Sequence, residues 1–568
     1  MTRPQSVEGG LDEPEELEPD QGTLALADPR DDHARADWER AAAAVLRKAG
    51  RLGDADPDDA VWDALTRTTL DGLAVPPLGT PDLLDDLSTA GRPARSGGWD
   101  VRTTPTDREQ ALVDLDNGAT SLLVDPAADL PALLDGVLLD LAPVVLDGAT
   151  AEQARAFLAV LGDTAPADGT NLGADATGDH VVEVAGLARE AGVLAAVVDA
   201  TTVHERGASD VQELGWALAA VAAYLRTLTA AGVPAGEAAR LMEIRLVATD
   251  EQLVTVAKLR AVRRLWARML ELCDVEPVEA RIHAVTSRPM MSRYDPWVNM
   301  LRTTVAAFAA GVGGADAVTV VPFDSPLGDP DEFGRRIARN TSSLLLSESH
   351  LGRVADPAGG AWAVEKLTDD LALAAWEELG RIEAEGLGAF DERVATTVAR
   401  RDDDVAHRRR PLTGLTEFPH LGETLPERTG DGDGVRRWGA AFEELRDRPA
   451  TTPAFLATMG SVSAHTARAT WATNLLAAGG VAVEPAGATD DVASVVAAYG
   501  DSGRSPVAVL CGTDAAYEEW GSDLVAALRD AGARRVVVAG KADVGADDRA
   551  YAGIDALDFL TRTREVLA

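Results

Sequence analysis

Between residues 60 and 390 short β-prone runs recur between helical stretches, and this alternation constrains the fold more than any other feature of the chain. The runs are SLLVD (121–125), PVVLD (143–147), AAVVDA (195–200), IHAVTS (282–287) and AVTVVPFD (317–324). Two long helices stand among them. DVQELGWALAAVAAYLRTLTAAG (210–232) closes on Gly232, and EQLVTVAKLRAVRRLWARMLELC (251–273) repeats apolar residues at three- and four-residue steps. Strands that alternate with helices pair in parallel. So many over about 330 residues predict a (β/α)8 barrel at 60–390 rather than a large doubly wound sheet.

Residues 451–568 repeat the alternation more cleanly: strand AFLATMG, helix through TARATWATNLLAAGG, strand VAVEP, helix DDVASVVAAYG, strand VAVLC, helix AYEEWGSDLVAALRDAG, strand RRVVVAG. This predicts a doubly wound α/β domain of flavodoxin-like size, with any ligand at the C-terminal ends of its strands. Residues 391–450, with RRDDDVAHRRR and ERTGDGDGVRR, lack sustained apolar periodicity and read as an extended linker. At the other end, 1–35 are acidic and poor in aromatics, which predicts a flexible tail. The helix formers in ERAAAAVLRKAGRL then predict a helical arm at 36–59, marginal alone and so packed on something.

The formal net charge of −40 sets the chain against phosphate backbones and anionic lipid, which argues against a nucleic-acid or membrane-surface role. Cys273 and Cys511 are its only cysteines, with no CxxC spacing. No basic start precedes an apolar run, and no run reaches the roughly 18 residues a membrane span needs, so a reducing cytoplasm is expected. VAGKADVG (538–545) lacks the spacing and hydroxyl of a phosphate-binding loop, and no G-x-S-x-G elbow occurs.

Three long segments carry a resemblance: RRIARNTSSLLLSESHLGRVADPAGGAWAVEKLTDDLALAAWE (335–377), DPWVNMLRTTVAAFAAGVGGADAVTVVPFD (295–324) and AKLRAVRRLWARM (257–269). Taken in chain order, they resemble the methylmalonyl-CoA mutase family of adenosylcobalamin-dependent acyl-CoA mutases. The resemblance implies a barrel housing radical chemistry and a separate domain that presents cobalamin to its mouth.

The chain departs from the family where the chemistry would be. Catalytic members follow the first strand of the C-terminal domain with D-x-H-x-x-G, in which His ligates cobalt and Asp sets its tautomer. Alignment on Met459-Gly460 puts Val462, Ala464 and Ala467 at those places. His465 stands one position further on, without the Asp-x-His relation, and reads as a helix-start residue that caps backbone groups or faces solvent. In the barrel, Thr104 replaces the family's Tyr after W-x-I-R, and Thr201 and Thr202 replace its Tyr-His pair. Thr319-Val320-Val321 replaces H-T-N, so Thr319 and Val321 stand where His and Asn would be. Arg339, Asn340, Asp356 and Pro357 keep the family pattern and read as turn and helix-start residues.

The resemblance with these losses implies a non-catalytic subunit, with neither cobalt ligand nor cofactor of its own, in a heterodimer with a homologous catalytic large subunit. That partner would bind adenosylcobalamin and the acyl-CoA. Two readings remain beside it: a mutase subunit for a related acyl-CoA with an unusual cobalamin mode through His465, and a free-standing acyl-CoA-binding or regulatory protein.

Overall fold

The computed structural model describes residues 33–84, 87, 95, 97–430, 432 and 434–568. The tail expected over 1–35 lies outside the described residues as far as 32, and helix α1 (Arg35–Lys48) already begins at the expected tail's last residue. By itself this N-terminal unit has a small core in which Ala43 and Leu46 of α1 pack with Val61, Trp38 and Trp62. The two indole rings lie 4.8 Å apart.

Eight parallel strands close a barrel in chain order: β1 (Asp100–Thr103), β2 (Ser121–Val124), β3 (Val144–Leu146), β4 (Asn171–Asp175), β5 (Leu194–Asp199), β6 (Met242–Ala248), β7 (Arg281–Thr286) and β8 (Ala317–Thr319). Strand β8 returns to β1 through the register Ala317↔Asp100. Every residue of β2, β3 and β6 is buried, as expected of strands covered by helices on one face and by the barrel interior on the other. Side chains alternate along a strand, so Glu243 and Arg245 of β6 share a face. Glu243 meets Arg102 of β1, which is not a neighbouring strand, and that face is therefore the barrel interior.

The outer layer includes α2 (Asp210–Ala230), α3 (Gln252–Leu272), α4 (Pro296–Val312), α5 (Glu332–Ser343) and α6 (Trp362–Glu385). Ser209 caps α2 in a reciprocal pair with Gln212. No helix among the described residues is long and apolar enough to cross a membrane.

The expected extended linker over 391–450 is a correction. A helix α7 (Leu387–Ala406) occupies its first part, and α8 (Ala440–Asp447) its last. Phe390, Val394, Thr397, Arg401 and Val405 form the buried stripe of α7 at three- and four-residue steps. Charged residues between them mask that period. Leu412, Leu415 and Phe442 join the apolar cluster under the C-terminal sheet, so the segment is mortar between domains rather than a tether.

That sheet has strands β9 (Ala454–Thr458), β10 (Val483–Pro485), β11 (Val507–Cys511), β12 (Arg535–Ala539) and β13 (Asp548–Ala550), all parallel in the order β10-β9-β11-β12-β13. Alternate residues feed two cores. Leu456, Val509 and Val537 pack on one face, and Phe455, Ala508, Val536 and Val538 on the other. Helix α9 (Val462–Ala478) follows β9.

Candidate functional site

Barrels of this kind carry their chemistry at the C-terminal ends of the strands, above an interior packed with side chains. Here paired charged side chains cross that interior. Arg102 and Glu243, both wholly removed from solvent, pair at 2.7 Å across it. Arg245 donates to Asp147 at 2.7 Å, to Asp199 at 2.9 Å, and from Nε to His283 Nδ1 at 3.2 Å. Because Nδ1 accepts, the proton of His283 sits on Nε2, which donates to Thr319 Oγ1 at 2.8 Å. Burial, and then the guanidinium groups of Arg102, Arg245 and Arg281, hold His283 well below the ordinary imidazole pKa. It is therefore a neutral hydrogen-bond relay, although Glu243 Oε1 lies 3.7 Å from its Nδ1.

The substituted barrel positions do not form one constellation. Thr319 joins the internal network. Thr201 donates to Asp199 Oδ1 at 2.6 Å and Thr202 to the Asp199 carbonyl at 2.9 Å, so both complete the turn after β5. The amide of Val321 donates to Thr286 Oγ1 at 2.8 Å, while Thr104 is exposed at the end of β1. A second buried network, below α2, joins Lys258 to Asp210 and Glu213 at 2.8 Å each and His204 Nε2 to Ser287 Oγ at 2.8 Å.

Of the residues that keep the family pattern, Arg339 and Asn340 lie inside α5 rather than at a turn or helix start, which corrects that expectation, while Asp356 and Pro357 stand in the turn before α6. Arg339 forms a buried pair with Asp114 of the helix after β1, and Asn340 faces solvent. Asp356, followed by Pro357, pairs with Arg260, whose other arm holds Glu365 at 2.8 Å. Glu365 in turn accepts the Gly360 amide at 2.9 Å.

In the C-terminal domain Gly460 turns the chain with a φ of 84°, and α9 begins two residues later. Val462 is 62% exposed on its first turn, Ala464 is half-buried and Ala467 exposed. His465 is buried rather than facing solvent, and its Nδ1 donates to the Gly460 carbonyl at 3.3 Å. Its place in the first turn directs the ring inward under Gly460, so of the two expectations it holds a backbone group and does not face solvent.

The strand ends are closed as well. Arg468 Nη1 donates to the Gly512 carbonyl at 2.6 Å, and its guanidinium lies 4.9 Å over the ring of Tyr517. The Tyr517 hydroxyl lies 2.9 Å from both the Leu510 and Ala539 carbonyls and accepts the Gly512 amide at 3.0 Å. Burial pushes the Cys511 thiol beside it up to about 12, so that sulfur is inert. A cobalt ligand needs an accessible imidazole oriented by a second group. His465 is inaccessible and spends Nδ1 on its own turn, so these residues do not fit a corrin ligated in the family's manner.

The family model described as methylmalonyl-CoA mutase matches residues 192–494. The methylmalonyl-CoA mutase small subunit of Streptomyces virginiae is 43% identical over 96% of this chain and 98% of its own. A probable methylmalonyl-CoA mutase small subunit of Mycobacterium tuberculosis (strain ATCC 25618 / H37Rv) is 41% identical over 90% and 92%. The small subunit of Propionibacterium freudenreichii subsp. shermanii is 34% identical over 96% of each. Matched in this way along nearly its whole length, the chain belongs to the methylmalonyl-CoA mutase family.

Proposed function

We propose that this chain is the small, non-catalytic subunit of a heterodimeric methylmalonyl-CoA mutase. Its partner is a homologous large subunit that binds adenosylcobalamin and interconverts (R)-methylmalonyl-CoA and succinyl-CoA. The observation that carries the reading is the Arg102–Glu243 pair at 2.7 Å, with Arg245, His283 and Thr319 beside it, across the space a substrate would thread. Opening that space would separate buried charges, and breaking such a pair costs about 3–5 kcal/mol.

The C-terminal sheet, in the order 2-1-3-4-5, is in this reading a flavodoxin-like, cobalamin-type domain whose ligand site has been closed by Arg468 and Tyr517. The chain's role is then to hold its partner in an active form in a reducing cytoplasm, which accords with two free thiols. The arm over 36–59, where Val45 of α1 is 66% exposed, is the segment assigned to contact that partner.

The test is to purify the chain alone and together with its large homologue, and to assay both with adenosylcobalamin and (R)-methylmalonyl-CoA. The pair should turn over, and the chain alone should neither turn over nor retain a corrin spectrum. Turnover by the isolated chain, or a bound corrin whose spectrum changes on His465→Ala, would overturn the reading.

A further inference from the structure

A small cavity of about 30 Å³, room for one or two water-sized groups, lies between β1, β8 and α5. Arg102 and Thr103 of β1, Thr104 at its mouth, Thr319 of β8, and Arg335 and Arg339 of α5 line it. Three buried polar atoms of these residues have no partner among the described residues: Arg102 Nη2, Arg339 Nε and Thr103 Oγ1. Arg102 is 1% exposed and Arg339 6%. Other arginine nitrogens of the described residues also lack partners, but here three such polar atoms belong to residues that line one cavity, and together they offer bonds to a shared acceptor.

Charge decides what that is. Arg102 is balanced by Glu243 and Arg339 by Asp114. Arg335, half-buried, donates to the Pro330 carbonyl, a neutral acceptor, and has no carboxylate partner among the described residues, although Asp114, paired with Arg339, also lines the cavity. Water would satisfy the donors, and an anion would in addition offset the charge of Arg335.

We infer that the cavity is a binding site for a small oxyanion of carboxylate size, held by Arg102, Arg339 and Thr103 and neutralised by Arg335. A carboxylate or bicarbonate presents two or three acceptor oxygens in a plane, which suits guanidinium donors converging from two sides. The small volume favours the least bulky of these, formate, over the tetrahedral sulfate. The site sits at the end of β1 and β8, entered past the exposed Thr104. The inference does not depend on the chain's role in a heterodimer.

The experiment uses the full chain at constant ionic strength, with formate, acetate, bicarbonate, chloride and sulfate compared by thermal shift and with 13C-formate by NMR line broadening. Formate or acetate should raise the melting temperature saturably and broaden the formate line, and sulfate should do neither. Arg335→Gln and Thr104→Phe replace half-buried and exposed side chains, so their anion-free melting temperatures should match the parent. Both should lose the saturable shift, and excess unlabelled acetate should restore the sharp formate line in the parent. No saturable response in the parent, an equal response to every anion, or an unchanged response in both variants would each overturn the site.

Discussion

His283 Nε2 and Thr319 Oγ1 lie 2.8 Å apart on adjacent strands of the barrel, so a position that reads as a lost catalytic polar group serves instead as the acceptor for a buried neutral imidazole. The pKa of His283 is held well below 6.5 in the folded chain. Below about 6.5 the unfolded imidazole takes a proton that the folded one refuses, so stability falls as pH falls, by about 1.4 kcal/mol per pH unit for this group. Urea unfolding at pH 7.5, 6.5 and 5.5 should give a steeper acid loss for the parent than for His283→Gln. Gln can still accept from Arg245 and donate to Thr319. Parallel pH profiles for the two would contradict the neutral assignment.

Glu243 is the anion on which the interior depends, reached by Arg102 at 2.7 Å and by Arg281 at 3.6 Å. Glu243→Ala should cost about 3–5 kcal/mol, because it leaves the Arg102 guanidinium buried without its counter-charge. Replacing both members of the main pair, Arg102→Met with Glu243→Leu, should recover most of that loss, since well-packed apolar groups often substitute for a buried pair without penalty. Denaturant midpoints of the single and double variants measure the difference. A loss under about 1 kcal/mol for the single variant would mean that water reaches the interior.

How much of this is legible in the sequence depends on where charge falls. The barrel and the C-terminal alternation are readable because most of their strands are apolar runs. Strand β6 escapes that reading because MEIRLVA carries Glu243 and Arg245, which are the inward-facing network itself. Helix α7 escapes it for a related reason: Arg401 is one of its buried positions, so the apolar period is broken where it matters. The family pattern locates the substituted residues, yet what fills their place rests on contacts such as Arg102 with Glu243, 141 residues apart in the chain, which no local period encodes. His465 is a similar case. A histidine in a first helical turn can point either way, and the packing of Gly460 decides.

Asp71, half-buried, accepts from the Ser209 hydroxyl and from the Val211 amide at 3.3 Å, at the N-terminus of α2. Burial raises its carboxyl to about 6, outweighing the bond from Ser209, with Asp210 adding to the rise. A folded pKa above the unfolded value means the folded state binds the extra proton between about pH 4 and 6, so stability from this group is present at the acid end and lost as pH rises through that window. Asp71→Asn should therefore stabilise the chain at pH 7.5 by about 1–2 kcal/mol and have little effect at pH 4. Thermal unfolding of both forms across this range checks it, and a loss of stability at pH 7.5 would show that the carboxylate's hydrogen bonds outweigh its desolvation.

Arg446 of α8 ties the connecting segment to the barrel. Its guanidinium stacks 3.9 Å from the Tyr294 ring after β7, donates to the Gly414 and His420 carbonyls at 3.0 Å each, and pairs with Glu423. Glu423 in turn accepts the Asp295 amide at 2.7 Å, so barrel, connecting segment and α8 share one buried node. Arg446→Ala removes a cation and strands a carboxylate and two carbonyls, at a cost of about 3–5 kcal/mol. Because the node fastens the segment under the C-terminal sheet to the barrel, the loss should fall on that junction. Calorimetry should resolve the parent's transition into two, and brief proteolysis should cut between 407 and 437 while sparing the barrel and the C-terminal sheet. If the variant instead melts in one transition at a lower temperature with an unchanged cleavage pattern, the domains are held together elsewhere, and the apolar contacts of Leu412, Leu415 and Phe442 become the next place to cut.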